Sequence, residues 1–346
     1  MHSLKFEIPE FKMACGDKIS VEVAYHTEGK LNADGSNAIL LTHGYTSSHN
    51  FAFSDTQASE GSWRNLVGPG KAIDTELYYV ICSNALGSCY GTTGPSSLNP
   101  KTGQSYGTDF PKITFVDIVN VQEQLLSSLG VLTLQAIIGV SMGGFQALQW
   151  AVSFPKKVKN IFVALSSIKG IKRPGSLAEV LKAADGWNCG RPQPGALTAV
   201  LKNLREKTLL EYGLKQWALD QGQSEEESIN YIRCLAGRWA AEFDPNSLLV
   251  LRQAIESFDV SEKLNEIRAR TMFMFSTTDK LFPPSLSQEI ERRARTAGLQ
   301  SEIFILESRY GHLASGLDWK KWELKLKKFL EPIKDSQINA RNAQFF

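Results

Sequence analysis

Few side chains in this sequence are placed to make and break covalent bonds. The string Gly139-Val140-Ser141-Met142-Gly143 has the GxSxG form. It follows an apolar run, Leu134 to Val140, and leads into a segment that reads as a helix, Gly143 to Phe154. Glycines on both sides of the serine permit a tight, strained strand-to-helix turn. Such a turn lifts Ser141 Oγ above a sheet, at the positive end of the next helix. A serine hydroxyl is a poor nucleophile without an adjacent base. Of five histidines (His2, His26, His43, His49 and His312), only His312 lies beyond the last strand-like run. Asp279 follows the run Thr271 to Ser276, where a carboxylate can orient an imidazole. Each alone has a plainer reading: a capping serine in a Gly-rich turn, a helix-capping aspartate, a surface histidine. Together they stand in the order serine, acid, histidine that such a turn requires. The chemistry implied is acyl transfer through an acyl-enzyme, with Ser141 as nucleophile, His312 as base and Asp279 as orienter.

The oxyanion formed in such a reaction needs two preorganised donors. The backbone N–H of Met142, next to the nucleophile, supplies one. The second is expected from the loop after the apolar run Ala38 to Thr42, where His43-Gly44-Tyr45 resembles the HG-aromatic turn of many hydrolases. We assign it to the N–H of Tyr45 and read His43 as structural. No HExxH, paired-His or CxxC spacing points to a metal, and no GxxxxGK[ST] string to a phosphate cradle. No metal and no resident cofactor is expected.

These groups need a scaffold. The chain has 346 residues, enough for one large domain or two small ones at roughly 100–200 residues each. Its 38 Lys and Arg against 36 Asp and Glu give a formal net charge of +2, which argues against a nucleic-acid binder. Apolar residues at 42% and charged residues at 21% fit a folded globular protein. Five scattered cysteines without a CxxC pair read as free thiols in a reducing compartment. The start, MHSLKFEIPE, lacks a secretory pattern, and no run of 18 apolar residues occurs. A cytoplasmic location with no membrane association is therefore expected.

The first 35 residues alternate as a β-hairpin, with Ile19, Val21, Val23 and Tyr25 on one face. Short apolar runs follow at Ala38–Thr42, Leu77–Cys82, Leu134–Val140, Val158–Leu165, Thr271–Ser276 and Glu302–Leu306, most of them separated by helical segments such as Ile113–Leu129. That alternation predicts an α/β fold with a mostly parallel sheet covered on both faces. Residues 168–260 break the rhythm. They are helical in character (Ala196–Glu206, Glu225–Leu235, Ser247–Phe258) and carry Trp187, Trp217 and Trp239. The expected organisation is a core in two parts, 1–167 and 261–332, a helical lid at 168–260, and a polar tail at 333–346.

With these strings in view, the sequence resembles the homoserine O-acetyltransferase branch of the α/β-hydrolase fold, from about Gly16 to Trp319. The resemblance rests on Gly91-Thr92-Thr93-Gly94-Pro95-Ser96-Ser97-Leu98-Asn99-Pro100, Ser141-Met142-Gly143-Gly144, Phe243-Asp244-Pro245-Asn246-Ser247, Asp279-Lys280-Leu281-Phe282-Pro283-Pro284 and Tyr310-Gly311-His312. It implies a serine that takes an acyl group from acyl-CoA, as co-substrate, and passes it to a hydroxyl. It also implies a homodimer built through the lid. Departures stand beside these matches. The family's aspartate after the catalytic histidine is Leu313 here, and its lid arginine falls nearest Val200, with Arg205 a less suitable stand-in. In its Asn-Ser-Tyr-Leu-Tyr-Leu string the tyrosines are replaced by Leu248 and Val250. Its Leu-Thr-Gly-Asp loop reads Leu41-Thr42-His43-Gly44-Tyr45.

Removing one partner of a buried ion pair costs about 3–5 kcal/mol, so losing the partners of both the ammonium and the carboxylate disfavours homoserine. A small, more apolar or uncharged acyl substrate is expected, with Leu313, Val200 and Leu248 in its pocket. Hydrolysis of an ester or thioester is the first reading and O-acyl transfer to another hydroxyl the alternative. A ligand-sensing protein without turnover is the third.

Overall fold

The computed structural model describes residues 3–53, 62–173 and 175–331. The strands are β1 (Leu4–Lys12), β2 (Lys18–Glu28), β3 (Ala38–Thr42), β4 (Tyr79–Ser83), β5 (Leu98–Asn99), β6 (Gln104–Ser105), β7 (Leu134–Val140), β8 (Asn160–Ala164), β9 (Arg270–Ser276) and β10 (Ser301–Leu306). Eight of them form one sheet in the order β1-β2-β4-β3-β7-β8-β9-β10, and β5 and β6 make a separate two-stranded ribbon. The hairpin β1–β2 and the pair β2–β4 are antiparallel, and every later pair in the sheet is parallel.

Successive side chains on a strand face opposite sides of the sheet, and here that alternation builds two cores. Leu40, Ile137, Ile161, Val163, Phe273 and Phe275 belong to one. Ile39, Leu41, Ile138, Phe162, Met272 and Met274 belong to the other. This is why the central strands read as unbroken apolar runs.

The helices are α1 (Phe115–Ser128), α2 (Met142–Ser153), α3 (Leu177–Lys182), α4 (Thr198–Glu211), α5 (Leu214–Asp220), α6 (Glu225–Glu242), α7 (Pro245–Ser257), α8 (Leu286–Thr296), α9 (Ala314–Leu317) and α10 (Glu323–Leu330). Five of them, α3 to α7, fall between β8 and β9, in the stretch expected as a helical lid, and we call this insertion the lid. Helix α6 starts on a capping box, Ser224 with Glu227, and α7 on Asp244, whose side chain accepts from Ser247 N with Pro245 just inside. Helix α6 runs past the expected end at Leu235 to Glu242, because Ala236, Trp239 and Ala240 continue its buried face.

The expected tail at 333–346 lies outside the described residues. Among the described residues, no helix is long and apolar enough to cross a membrane, and all five cysteines are free thiols.

Candidate active site

Parallel strands deliver their loops to one edge, and the chemistry expected from the sequence collects there. Ser141 follows β7, Asp279 lies three residues past β9, and His312 six past β10. Each stands just beyond the carboxyl end of its strand, where open α/β sheets bind ligands.

Ser141 has φ 56 and ψ −120, a left-handed conformation for a side chain that rarely adopts one. Strain of this kind costs about 1–3 kcal/mol and persists only where neighbours enforce it. Here the enforcement is contact. A Cβ on Gly143 would lie 1.9 Å from the Thr42 carbonyl oxygen, and one on Gly139 would lie 2.1 Å from Gly143 O. Strand β3, strand β7 and helix α2 therefore meet at a distance only glycine allows. Gly144 N donates to Ser141 O at 2.8 Å, which closes the turn. Met142 is the first residue of α2, so its N–H has no acceptor within the helix.

His312 Nδ1 lies 2.9 Å from Asp279 Oδ2, and both side chains are excluded from solvent. The carboxylate can only accept, so Nδ1 carries the proton and Nε2 presents a lone pair. The other carboxylate oxygen, Asp279 Oδ1, accepts from Leu281 N at 2.8 Å and Phe282 N at 3.2 Å, which fixes the acid. The imidazole sits between two rings, Tyr212 at 4.6 Å and Phe282 at 5.7 Å between centroids. Both rings also line a cavity of about 50 Å³ together with Ser141, Met142, Tyr45, Phe145 and Leu281. Two rings packed against His312 thus wall the small chamber that Ser141 also lines. A Cβ on Gly311 would lie 2.8 Å from Tyr212 O, so that glycine lets the lid close on the histidine loop.

The loop after β3 is held from several sides. Ala85 N donates to His43 Nε2 at 3.0 Å, so His43 Nδ1 carries the proton and donates to Gly44 O at 2.8 Å. His43 is thereby a brace for its own turn, as expected. Tyr45 Oη donates to Leu248 O at 2.5 Å. Arg205 Nη1 donates to Thr46 Oγ1 at 2.7 Å, and Trp239 Nε1 to Thr46 O at 3.1 Å. The Arg205 guanidinium also lies 5.3 Å from the Trp239 ring centroid. Arg205 therefore supports the loop and does not line the cavity.

The three residues expected in the substrate pocket are not among those lining the cavity. Leu313 packs with Leu209, Tyr212 and Leu214. Leu248 and Val200 belong to the lid's own core with Trp187 and Trp239. The loop carrying Pro95 and Ser96 borders a separate groove of about 610 Å³ against the lid. It is tied to β2 where Glu22 N and Ala24 N donate to Thr93 and Thr92. Cys89 lies in this region, and burial pushes its thiol up to about 12.

Six lining residues were not singled out from the sequence: Phe145 on α2, Ile171 and Arg173 after β8, Tyr212 where α4 ends, and Arg252 and Ile255 on α7. Among the described residues that line the cavity, none is Asp or Glu.

Residues 37–188 match the family model for the alpha/beta hydrolase fold. A homoserine O-acetyltransferase of Geotalea daltonii is 33% identical over 340 residues, covering 90% of this chain and 92% of the relative. Among solved structures, a homoserine O-acetyltransferase from Bacillus anthracis superposes with a TM-score of 0.85 at 27% identity, covering 96% of this chain and 98% of that one. Esterase E22 superposes with a TM-score of 0.84 at 30% identity, covering 95% and 100%. The sheet order, the strained serine turn and likeness along nearly the whole chain agree, and the protein belongs to the homoserine O-acetyltransferase family of α/β-hydrolase-fold enzymes.

Proposed function

We propose that this chain is a serine-dependent acyl-transfer enzyme that hydrolyses a small ester or thioester. The observation that carries the reading is the buried His312–Asp279 contact of 2.9 Å, flanked by rings that also wall the Ser141 cavity. Ser141 Oγ attacks the acyl carbonyl as its proton passes to His312 Nε2. The oxygen that becomes negative is met by the N–H groups of Met142 and Tyr45. The imidazolium then protonates the departing alcohol or thiol, which leaves an acyl-serine. Water, deprotonated by the same nitrogen, repeats the sequence and frees the acid. Asp279 stays ionised throughout and holds the ring.

Hydrolysis and transfer differ only in what attacks the acyl-serine. A bound alcohol can reach an effective molarity of about 10⁵ M and outrun water, but only where a pocket orients it. Homoserine would bring an ammonium. Leu313 lies in an apolar cluster, and among the described residues no carboxylate lines the cavity to receive that charge. An esterase on the same scaffold at 30% identity supports hydrolysis as well. Transfer from acyl-CoA to a hydroxyl other than homoserine's stays open as the second reading, because the curated relatives are O-acetyltransferases.

The test has two steps. A fluorophosphonate probe should label the protein and fail to label Ser141→Ala. Acetyl-CoA and simple acetyl esters should then release acetate, with homoserine adding no ester product above that rate. Formation of O-acetylhomoserine faster than acetate would overturn the preference for hydrolysis. Equal labelling of Ser141→Ala would overturn the mechanism.

A further inference from the structure

Two arginines reach the wall of an otherwise largely apolar catalytic chamber, and the acyl-transfer mechanism uses neither. Arg173 lies in the segment leaving β8, and Arg252 on α7, so they come from opposite ends of the lid. Their nearest lining neighbours in sequence are Ile171 and Ile255. Arg252 Nη2 donates to Arg173 O at 3.3 Å, which ties the two segments together. Each guanidinium also has a carboxylate partner, Glu211 for Arg173 and Glu256 for Arg252. Those glutamates do not line the cavity. The arginine side chains are 33% and 16% exposed, so Arg252 is largely and Arg173 only partly buried.

A guanidinium carries five N–H donors spread in one plane. It can hold a glutamate on its outer edge and still offer donors inward. A bound neutral ester has no charge of its own for two cations to pair with, and stapling the lid is achieved as well by apolar residues, since buried ion pairs rarely outperform them. A carboxylate on the substrate does use them, because planar bidentate recognition of carboxylates is what guanidinium geometry favours. Among the described residues, the lining offers no Asp or Glu to pair with an ammonium on the same molecule.

We propose that Arg173 and Arg252 form a carboxylate subsite, and that the preferred substrates are esters carrying a carboxylate and no ammonium group. This rests on Ser141 being the nucleophile. The carboxylate sits either on the acyl half or on the alcohol half of the ester.

The experiment compares charged esters with neutral twins in the full-length protein: monoethyl succinate against ethyl butyrate for the acyl half, and 3-acetoxypropanoate against its methyl ester for the alcohol half. The readout is the ratio of kcat/KM, charged over neutral, within each variant, so a general loss of folding or activity cancels. In at least one pair, Arg252→Gln and Arg173→Gln should lower this ratio about 10- to 100-fold, as expected for hydrogen bonds to a charged group. Arg252→Lys should recover part of it. Glu256→Gln, which removes the competing carboxylate, should raise it. The pair that responds identifies which half carries the charge. Unchanged ratios in both pairs overturn the subsite, as does a Glu256→Gln that falls in step with Arg252→Gln, the pattern of a purely structural ion pair. Failure of Ser141→Ala to abolish turnover of the neutral esters is a separate result, which overturns the nucleophile.

Discussion

Thr46→Val tests whether the lid positions the oxyanion loop. Valine keeps the shape of threonine and deletes the hydroxyl that accepts from Arg205 Nη1 at 2.7 Å. Both residues are buried, Thr46 at 5% and Arg205 at 2% exposure, so water does not replace the lost acceptor. Hydrogen bonds to charged groups contribute about 1.5–3 kcal/mol. Arg205→Met removes the charge along with its donors, so its cost is offset by the relief of desolvation. A double-mutant cycle isolates the pair from the other contacts each side chain makes. The expected coupling energy is about 1.5–3 kcal/mol by urea denaturation, a midpoint shift of up to about 1 M for Thr46→Val when m is near 3 kcal/mol/M. Thr46 follows Tyr45, whose N–H is the proposed oxyanion donor. Losing such a donor outright costs about 10²–10³ in kcat, and loosening it should cost roughly tenfold, in kcat and not in KM. Coupling below about 0.5 kcal/mol would refute the Arg205–Thr46 contact as a tie between lid and loop. Normal coupling with unchanged kcat would refute its role in positioning Tyr45.

Asp279→Asn should keep the fold, because the amide oxygen can still accept from Leu281 N and Phe282 N. Its NH₂ would face His312 Nδ1 and force the proton onto Nε2, so kcat should fall by about 10⁴, with fluorophosphonate labelling slowed in parallel. His49 gives the chain an acid sensitivity. Burial, with smaller contributions from the charges of His43 and His26, lowers it from 6.5 to about 4. Above pH 6.5 it is neutral whether folded or unfolded and has no effect. Between 6.5 and 4 only the unfolded chain takes up the proton, so stability falls as pH falls and levels off below 4. The loss is on the order of 3 kcal/mol. Urea midpoints measured from pH 7.5 to 4 should show this slope, and His49→Gln should flatten it. An unaltered slope in that variant would rule His49 out as the cause.

The placement of Ser141, Asp279 and His312 at one edge of the sheet was legible because each follows the end of an apolar strand, and strand ends can be read from composition alone. The serine turn was legible because its glycines answer a contact that no other residue permits. The pocket was not, for local reasons. Leu313 directly follows His312 in a 3₁₀ turn, where successive residues point about 120° apart, so it faces the lid cluster and not the chamber. Leu248 lies on the helix that does line the cavity, one turn ahead of Arg252 and on the same side, as i, i+4 and i+7 with Ile255. There it lies beneath Tyr45, whose hydroxyl reaches its carbonyl. Arg173 and Arg252 are 79 positions apart and met only when the lid folded back on the sheet. No spacing rule spans that distance.

The lid cannot then be treated as a cover added to a finished catalyst. Arg205 on α4, Trp239 on α6 and Leu248 on α7 each bond Tyr45 or Thr46, so three lid helices hold the loop that carries one proposed oxyanion donor. Tyr212, where α4 ends, packs on the imidazole of His312, and its neighbour Glu211 pairs with Arg173. Helix α7 and the end of α4, which line the Ser141 chamber, thus also contact the Tyr45 loop and His312. A change in lid sequence that alters the chamber therefore also alters the geometry of the chemical step. Drift between transferases and esterases on this scaffold should then proceed through substitutions that leave the Tyr45, Thr46 and His312 contacts intact, at positions such as 252, which lines the chamber and takes no part in those contacts.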